Sequence, residues 1–223
     1  MKNLFKHLGV GSRPLMVENG QRSVYDALLY TVLQQPSDQH GAGKVIALSS
    51  ANRGEGVTYI TRALVKELGK SDFTSVAAIN LRFLQRLHEP TMEALRRSLS
   101  GVGAGSVSEE GVAEGCDSDA SLIETGGHGP WLGSWQYRSD CINLLRSEFG
   151  YTVLDCPSLG ESGDLLSVAP FVDGVILVIE ANRTRREQLW QTEQSISAAR
   201  GKLLGYILNK RTYEVPGWLY QNL

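Results

Sequence analysis

Residues 49–59 carry the arrangement of side chains in this chain that is best suited to phosphate chemistry. The segment reads Ser-Ser-Ala-Asn-Arg-Gly-Glu-Gly-Val-Thr-Tyr and stands between a predicted strand and a predicted helix. In a phosphate-binding loop, glycines let main-chain N–H groups meet phosphate oxygens, a hydroxyl holds Mg²⁺, and a lysine reaches the β and γ phosphates. Here Gly54, Gly56 and Thr58 are present, but Val57 occupies the lysine position. The segment therefore predicts a phosphate-binding loop that has lost its lysine.

The remaining polar residues of this loop are candidate ligand contacts, each with a simpler alternative. Arg53 is the one cation of the loop and could contact phosphate through its planar guanidinium, or it is an exposed loop residue. Thr58 could ligate Mg²⁺, or it only caps the helix that follows, where Ser and Thr are preferred in any case. Glu55 and Tyr59 complete the candidate nucleotide-binding set together with Gly54, Gly56 and Val57.

The pattern along the chain predicts an α/β fold with a parallel β-sheet and helices on both faces. The predicted strands are residues 44–48, 74–81, 151–155, 172–180 and 202–208, and the predicted helices are residues 58–70, 91–99, 134–149 and 185–200, with another starting near Asp164. Apolar strands that do not alternate and are separated by helices indicate a parallel sheet covered on both sides. Such sheets bind ligands at the carboxyl ends of their strands. We therefore expect the Gly54 turn and Asp155 to lie side by side.

The domain organisation predicted from the sequence is one domain with a leading segment. Residues 1–40 form an N-terminal segment whose residues 21–35 carry apolar positions at helical spacing, which predicts an amphipathic helix. Residues 41–223 form the domain. Within it, residues 101–130 are rich in Gly, Ser, Glu and Asp, and we predict a mobile insertion there.

Composition disfavours several classes of function. The chain has 223 residues and a formal net charge of −2, which gives no electrostatic reason to propose DNA or RNA, so we expect no nucleic-acid partner. The three cysteines have no metal-ligand spacing, which favours reduced thiols in a cytoplasmic protein. The most apolar run, residues 174–179, is far shorter than the roughly 20 residues that span a bilayer. The N-terminus has no apolar core typical of a secretory signal.

Seven separated segments carry a resemblance to a known family. They are residues 54–56, 132–134, 151–157, 164–175 (at Asp164, Ala169-Pro170 and Asp173-Gly174-Val175), 184–187, 205–210 and 215–220. In this order they resemble the cytoplasmic domain of the bacterial tyrosine kinases (BY-kinases) of capsule and exopolysaccharide synthesis, which are relatives of the MinD/ParA ATPases. The resemblance spans nearly the whole chain and implies a P-loop NTPase-like fold.

The resemblance also implies site residues and cofactors. It implies ATP or ADP with Mg²⁺, and Asp155 as the catalytic carboxylate that holds Mg²⁺ through water. The alternative for Asp155 is a strand-end carboxylate that caps the following turn. Asn209 and Arg211 lie where relatives contact the adenine base, although Asn is also a common turn residue after a strand. The tyrosine cluster that the family phosphorylates is reduced to Tyr213 and Tyr220.

The departures from the family pattern gather at the catalytic positions. Val57 replaces the lysine, and between Asp72 and Glu89, where the family has a second acidic motif, the chain has Asn80 and Arg82 but no carboxylate. The leading helix also lacks the charges that help relatives to form rings. We therefore expect nucleotide binding to be weak or lost.

The sequence hypothesis is a degenerate, kinase-like protein that regulates capsule or exopolysaccharide synthesis or export. Its expected partner is the cytoplasmic end of a membrane polysaccharide co-polymerase, with an active kinase paralogue or a second copy as further partners. This would place the protein in the cytoplasm, peripheral at the inner face of the membrane. The alternative is an active ATP-dependent protein-tyrosine autokinase. A third alternative, a MinD/ParA-type positioning ATPase, would need the lysine that Val57 replaces.

Overall fold

A computed structural model describes residues 43–68, 75–85, 93, 112–114 and 134–210. The predicted N-terminal helix, most of the predicted helix 91–99, Arg211, Tyr213, Tyr220 and most of the segment 101–130 lie outside the described residues. The predictions that concern their structure stay predictions.

The described residues form strands and helices in alternation. The strands are β1 (Lys44–Ser50), β2 (Val76–Asn80), β3 (Val112–Glu114), β4 (Tyr151–Asp155), β5 (Gly174–Glu180) and β6 (Leu203–Asn209). The helices are α1 (Val57–Leu68), α2 (Leu81–Gln85), α3 (Trp135–Glu148), α4 (Asp164–Val168) and α5 (Arg186–Ala198). Ser134 caps α3 by accepting a hydrogen bond from the Tyr137 N–H at 3.2 Å, as residues of its type favour. None of the described helices is long and apolar enough to cross a bilayer.

The six strands form one sheet in the order β3-β2-β4-β1-β5-β6, and every neighbouring pair is parallel. In the registers, Asp155 pairs with Leu48 of β1 on one side and with Asn80 of β2 on the other. The Gly54 turn after β1 and the segments after β4 and β2 therefore leave the same edge of the sheet. The predicted parallel α/β fold is confirmed.

Side chains of the central strand β1 alternate between two apolar cores, because successive residues of a strand point to opposite faces. Val45 and Ala47 belong to the core that includes α2, α3, α4 and α5, whereas Ile46 and Leu48 belong to the core that includes α1. Leu64 of α1 is fully buried there, and burial of such a side chain stabilises by about 1.5–3 kcal/mol. Helices thus cover both faces of the sheet, as predicted.

Two elements differ from the predictions. The predicted strand 74–81 ends at Asn80, and Leu81–Gln85 forms the short helix α2. The Asn80 side chain accepts a hydrogen bond from the Arg82 N–H at 2.9 Å, which caps the helix and stops the strand. In addition, strand β3 lies within the segment predicted to be a loop, where its main chain pairs with β2 at the edge of the sheet.

An ion pair fixes the opposite, amino-terminal end of the sheet. Arg146 of α3 donates to the Asp173 carboxylate at 2.6 Å and to the Phe171 carbonyl at 2.8 Å. The same Asp173 oxygen accepts from the Val45 N–H at 2.7 Å. The pair is largely buried, so it holds α3 and the turn before β5 against the start of β1.

Candidate nucleotide site

The turn between β1 and α1 needs both of its glycines. Gly54 and Gly56 have φ angles of 84° and 98°, in the left-handed region that favours glycine. A Cβ atom on Gly56 would also lie 2.1 Å from the Asn209 side-chain nitrogen. The two glycines are therefore required by the backbone conformation of the loop, independently of any ligand.

Val57 packs inside the protein. It is the first residue of α1, is 9% exposed and belongs to the apolar core around Ile60 and Leu64. The residue predicted to replace the lysine of a phosphate-binding loop therefore contributes an apolar side chain to the core.

Thr58 and Asp155 are brought together by the pairing of β1 with β4. The Thr58 hydroxyl donates to the Asp155 carboxylate at 2.7 Å. This confirms that the Gly54 turn and Asp155 lie at the carboxyl ends of neighbouring strands. A hydroxyl and one carboxylate are hard oxygen ligands of the kind that Mg²⁺ uses together with water and substrate phosphates.

Thr58 and Asp155 could hold Mg²⁺ only if phosphate oxygens supplied further ligands. Among the described residues there is no group of three or more His, Cys, Asp or Glu side chains that could hold a metal ion by itself. Asn80, beside Asp155 in the register, uses its side chain to cap α2. Arg82 contacts Glu161 at 3.2 Å, so the β2 side carries an amide and a guanidinium instead of a second carboxylate.

Glu55 links the loop to the turn between β5 and α5. Its side chain is fully buried, and one carboxylate oxygen accepts from Thr184 at 2.6 Å and from Asn52 at 2.9 Å. The other oxygen is buried and has no hydrogen-bond partner among the described residues. Thr184 in turn accepts from the Glu180 N–H at 3.0 Å. A ligand contact of Glu55 would therefore use its main chain.

Two residues at the end of β6 hold the outer side of the loop. The buried Asn209 side chain donates to the Glu55 carbonyl at 2.9 Å, and the Lys210 ammonium donates to the Gly54 carbonyl at 2.6 Å. Lys210 also lies 3.2 Å from the Glu180 carboxylate. Asn209 was expected to lie near the base, which stays a prediction, and in the structure its side chain supports the loop.

The charges at this end of the sheet are balanced by Glu180. Its carboxylate contacts Arg183 at 3.0 Å as well as Lys210. Burial works to raise the pKa of Glu180, but the hydrogen bonds from Lys210 and Arg183 outweigh it and lower the pKa. Arg53 and Tyr59 are exposed at the loop, Tyr59 to 59%.

Cys156 follows Asp155 directly but is not a candidate nucleophile. Burial raises the pKa of its thiol well above the ordinary value, and the nearby charges of Asp155 and Asp164 raise it further. Because the thiolate is the reactive form, we expect the Cys156 thiol to be unreactive.

Sequence reasoning missed Thr184 and Lys210. Both lie in segments that carry the family resemblance, and Lys210 is a basic residue directly after the strand end that holds Asn209. The position of Lys210 next to Asn209 was the sequence feature that could have indicated its role at the loop. Arg211, the other predicted contact to the base, lies outside the described residues.

Comparison with known proteins gives related kinases in both sequence and structure. No protein-family model matches the chain. The tyrosine-protein kinase CpsD of Streptococcus agalactiae is 23% identical over 173 residues, which cover 75% of this chain and 75% of CpsD. The CpsD of Streptococcus agalactiae serotype III (strain NEM316) is 24% identical over 173 residues, which cover 75% of this chain and 74% of that protein.

Three solved structures share the fold. The chimerical protein CapA2B2 has a TM-score of 0.66 at 14% identity and covers 95% of this chain and 99% of its own. The VpsO kinase domain has a TM-score of 0.56 at 22% identity, with 83% and 92% covered. The kinase domain of Escherichia coli tyrosine kinase ETK has a TM-score of 0.54 at 16% identity, with 88% and 78% covered. The chain is thus homologous to the tyrosine kinase CpsD and has the P-loop NTPase-like fold of bacterial tyrosine kinase domains.

Proposed function

We propose that this protein is a degenerate bacterial tyrosine kinase that regulates capsule or exopolysaccharide synthesis or export and binds nucleotide weakly or not at all. The observation that carries the proposal is Val57, an apolar and buried side chain at the position of the phosphate-binding lysine. Homology to CpsD supports the link to the tyrosine kinases of this pathway.

The free energy of the contact that the missing lysine would make sets the expected loss of nucleotide affinity. A hydrogen bond to a charged group contributes about 1.5–3 kcal/mol, which corresponds to roughly 10- to 150-fold in affinity. Phosphoryl transfer depends mainly on positioning and charge neutralisation, so its rate falls further when a cation and a carboxylate are absent. We therefore expect catalysis to be reduced more than binding.

Several features of the loop support weak binding of ATP or ADP with Mg²⁺. The glycines keep the loop conformation, and Thr58 and Asp155 remain in contact at 2.7 Å. Thr58 and Asp155 would hold Mg²⁺ together with the phosphates, and Asp155 would be the catalytic carboxylate. Arg53 and Tyr59 would line the ligand at the exposed side of the loop. Asn209 and Arg211 would lie near the base.

The proposed partner is the cytoplasmic end of a membrane polysaccharide co-polymerase, with an active kinase paralogue or a second copy as further partners. This would place the protein in the cytoplasm, peripheral at the membrane. Trp135 and Trp190 support a role in binding, since they are 64% and 55% exposed and Trp is enriched in protein interfaces. Residues 1–40 would form a leading segment and residues 41–223 the domain, with a mobile insertion near 101–130.

The alternative is an active ATP-dependent tyrosine autokinase. The contact between Thr58 and Asp155 supports it, because it brings together a hydroxyl and a carboxylate of the kind that Mg²⁺ uses together with phosphates. The ammonium of Lys210 at the Gly54 carbonyl also brings a cation to the loop.

Calorimetry with ATP and Mg²⁺, combined with a phosphotyrosine immunoblot, separates the two functions. We expect weak or undetectable binding and little phosphotyrosine in the wild type. Strong phosphotyrosine in the wild type that disappears in Asp155→Ala would replace the proposal by the autokinase.

Localisation tests the proposed partner separately. The protein is followed in membrane and soluble fractions of cells with and without the co-polymerase. We expect the membrane-bound share to fall when the co-polymerase is deleted, and an unchanged share would exclude it as the anchor.

A further inference from the structure

We propose that Lys210 and Asn209 are the positioning residues that keep this loop in a phosphate-binding conformation without its lysine. They would hold two consecutive carbonyl groups and thereby direct the next two N–H groups toward phosphate. This inference rests on the proposed nucleotide binding, because it assigns the part of the protein that orients that same site.

The contacts define the direction of two peptide groups. Lys210 holds the Gly54 carbonyl at 2.6 Å, and Asn209 holds the Glu55 carbonyl at 2.9 Å. In a planar trans peptide the N–H group points opposite to the carbonyl group. The N–H groups of Glu55 and Gly56 are therefore both turned away from the end of β6.

Successive N–H groups that point the same way form a concavity that binds anions. In the part of the chain that the structure describes, neither the Glu55 N–H nor the Gly56 N–H donates to another protein group. Gly54 and Gly56, with positive φ angles on either side of Glu55, give the backbone the alternation that such a concavity requires. These N–H groups are suited to a ligand with two or more linked phosphates, such as pyrophosphate or a nucleoside diphosphate.

The backbone of Lys210 is itself unusual. Its φ angle is 55°, a left-handed conformation that is uncommon for a residue with a side chain. Conformations of this kind persist where surrounding contacts determine them, often at functional sites. Here the Lys210 main-chain N–H donates to the Asn209 side-chain oxygen at 2.9 Å, and the ammonium contacts Gly54 and Glu180.

The positive charge of Lys210 adds an electrostatic effect. Bound to the Gly54 carbonyl, it polarises the peptide group whose N–H belongs to Glu55, which makes that N–H a stronger donor. It thus supplies, from the outer side of the loop, part of the charge that Val57 does not supply. Unlike the usual lysine, it would not touch the phosphate.

The experiment compares Lys210→Met with Lys66→Met. Both variants lose one positive charge from an exposed lysine, but Lys66 lies in the last turn of α1, away from the loop. Pyrophosphate binding is measured by calorimetry. We expect Lys210→Met to weaken it roughly tenfold, Lys66→Met to leave it within about twofold, and Lys210→Arg to restore most of it.

A second measurement uses the free protein and depends on no ligand. The amide signals of Glu55 and Gly56 are followed by NMR in the same variants. We expect Lys210→Met to shift or broaden the Glu55 signal more than the Gly56 signal, because Asn209 still holds the second carbonyl. Lys66→Met should leave both signals in place.

The two measurements separate this inference from the proposed function. Wild-type protein that binds neither pyrophosphate nor ADP would agree with the degenerate kinase but contradict the phosphate-binding part of this inference, while a Glu55 signal that responds to Lys210→Met would still support the positioning role. Amide signals that do not change in Lys210→Met would overturn the inference, even in a protein that binds pyrophosphate.

Discussion

Thr58 and Asp155, 97 residues apart in the sequence, meet in a hydrogen bond of 2.7 Å from the hydroxyl to the carboxylate. The contact joins the first turn of α1, which follows β1, to the end of β4, and β1 and β4 are paired in the sheet. Val57, next to Thr58, belongs to the apolar core. In the proposed site, Thr58 and Asp155 would supply the oxygen ligands and Val57 would stand in place of the lysine, and each part can be tested by itself.

Val57→Lys is expected to strengthen ATP binding about tenfold or more, because it restores a charge at the phosphates. Autophosphorylation should rise much less, since the β2 side still lacks a carboxylate. Calorimetry and a phosphotyrosine immunoblot measure the two effects. Val57→Met is the control, because the methionine side chain is similar in length to that of lysine but has no charge. Equal gains from both variants would show that shape, not charge, limits binding.

Asp155→Asn is expected to remove the effect of Mg²⁺ on ATP affinity. The amide oxygen can still accept from the Thr58 hydroxyl, but it cannot offer a negative charge to the metal ion. Titrations of the Val57→Lys variant with Mg²⁺ or with EDTA, each with and without Asp155→Asn, test this. An unchanged Mg²⁺ effect would place the metal elsewhere.

Gly56→Ala is expected to destabilise the protein by about 1–3 kcal/mol, because alanine is strained at positive φ and its methyl group would displace Asn209. Gly163→Ala is the matched control, since a Cβ atom there has no neighbour within 4 Å. Urea denaturation gives both values. Similar stabilities for the two variants would mean that the loop relaxes easily and that Asn209 is not a fixed support.

How far the sequence predicts this structure depends on the range of the contacts. The strand Tyr151–Asp155 follows from a local apolar run, whereas its neighbours in the sheet, β1 and β2, are not the strands next to it along the chain. Helix α2 was missed because its start depends on one side-chain bond of Asn80. The contacts of Thr184 and Lys210 with the loop span 129 and 156 residues, and no local pattern indicates which carbonyl or carboxylate such a side chain reaches.

Arg146→Met is expected to cost about 3–5 kcal/mol of stability, because it leaves the largely buried carboxylate of Asp173 without its cation. The pair lies at the amino end of the sheet, so pyrophosphate affinity should not change in the folded variant. Denaturation and calorimetry on the same sample test both statements. A large loss of affinity at unchanged stability would mean that the two ends of the sheet are coupled.

Glu193 makes the stability of the folded protein depend on pH. Burial raises the pKa of Glu193, although the hydrogen bond from the Tyr206 hydroxyl lowers it in part. The native state then binds this proton more tightly than the unfolded state does. Its contribution to stability is complete below the ordinary pKa of 4.5 and is lost as the pH rises through the raised value.

Glu193→Gln should remove this loss, because glutamine stays neutral and its oxygen can still accept from Tyr206. We therefore expect the variant to gain stability over the wild type as the pH rises above the ordinary glutamate pKa of 4.5, measured by urea denaturation at each pH. Glu187→Gln, on the exposed side of the first turn of the same helix, is the control for loss of one charge. A difference between Glu193→Gln and wild type that stays constant with pH would show that Glu193 titrates alike in both states, and that its bond to Tyr206 fully offsets its burial.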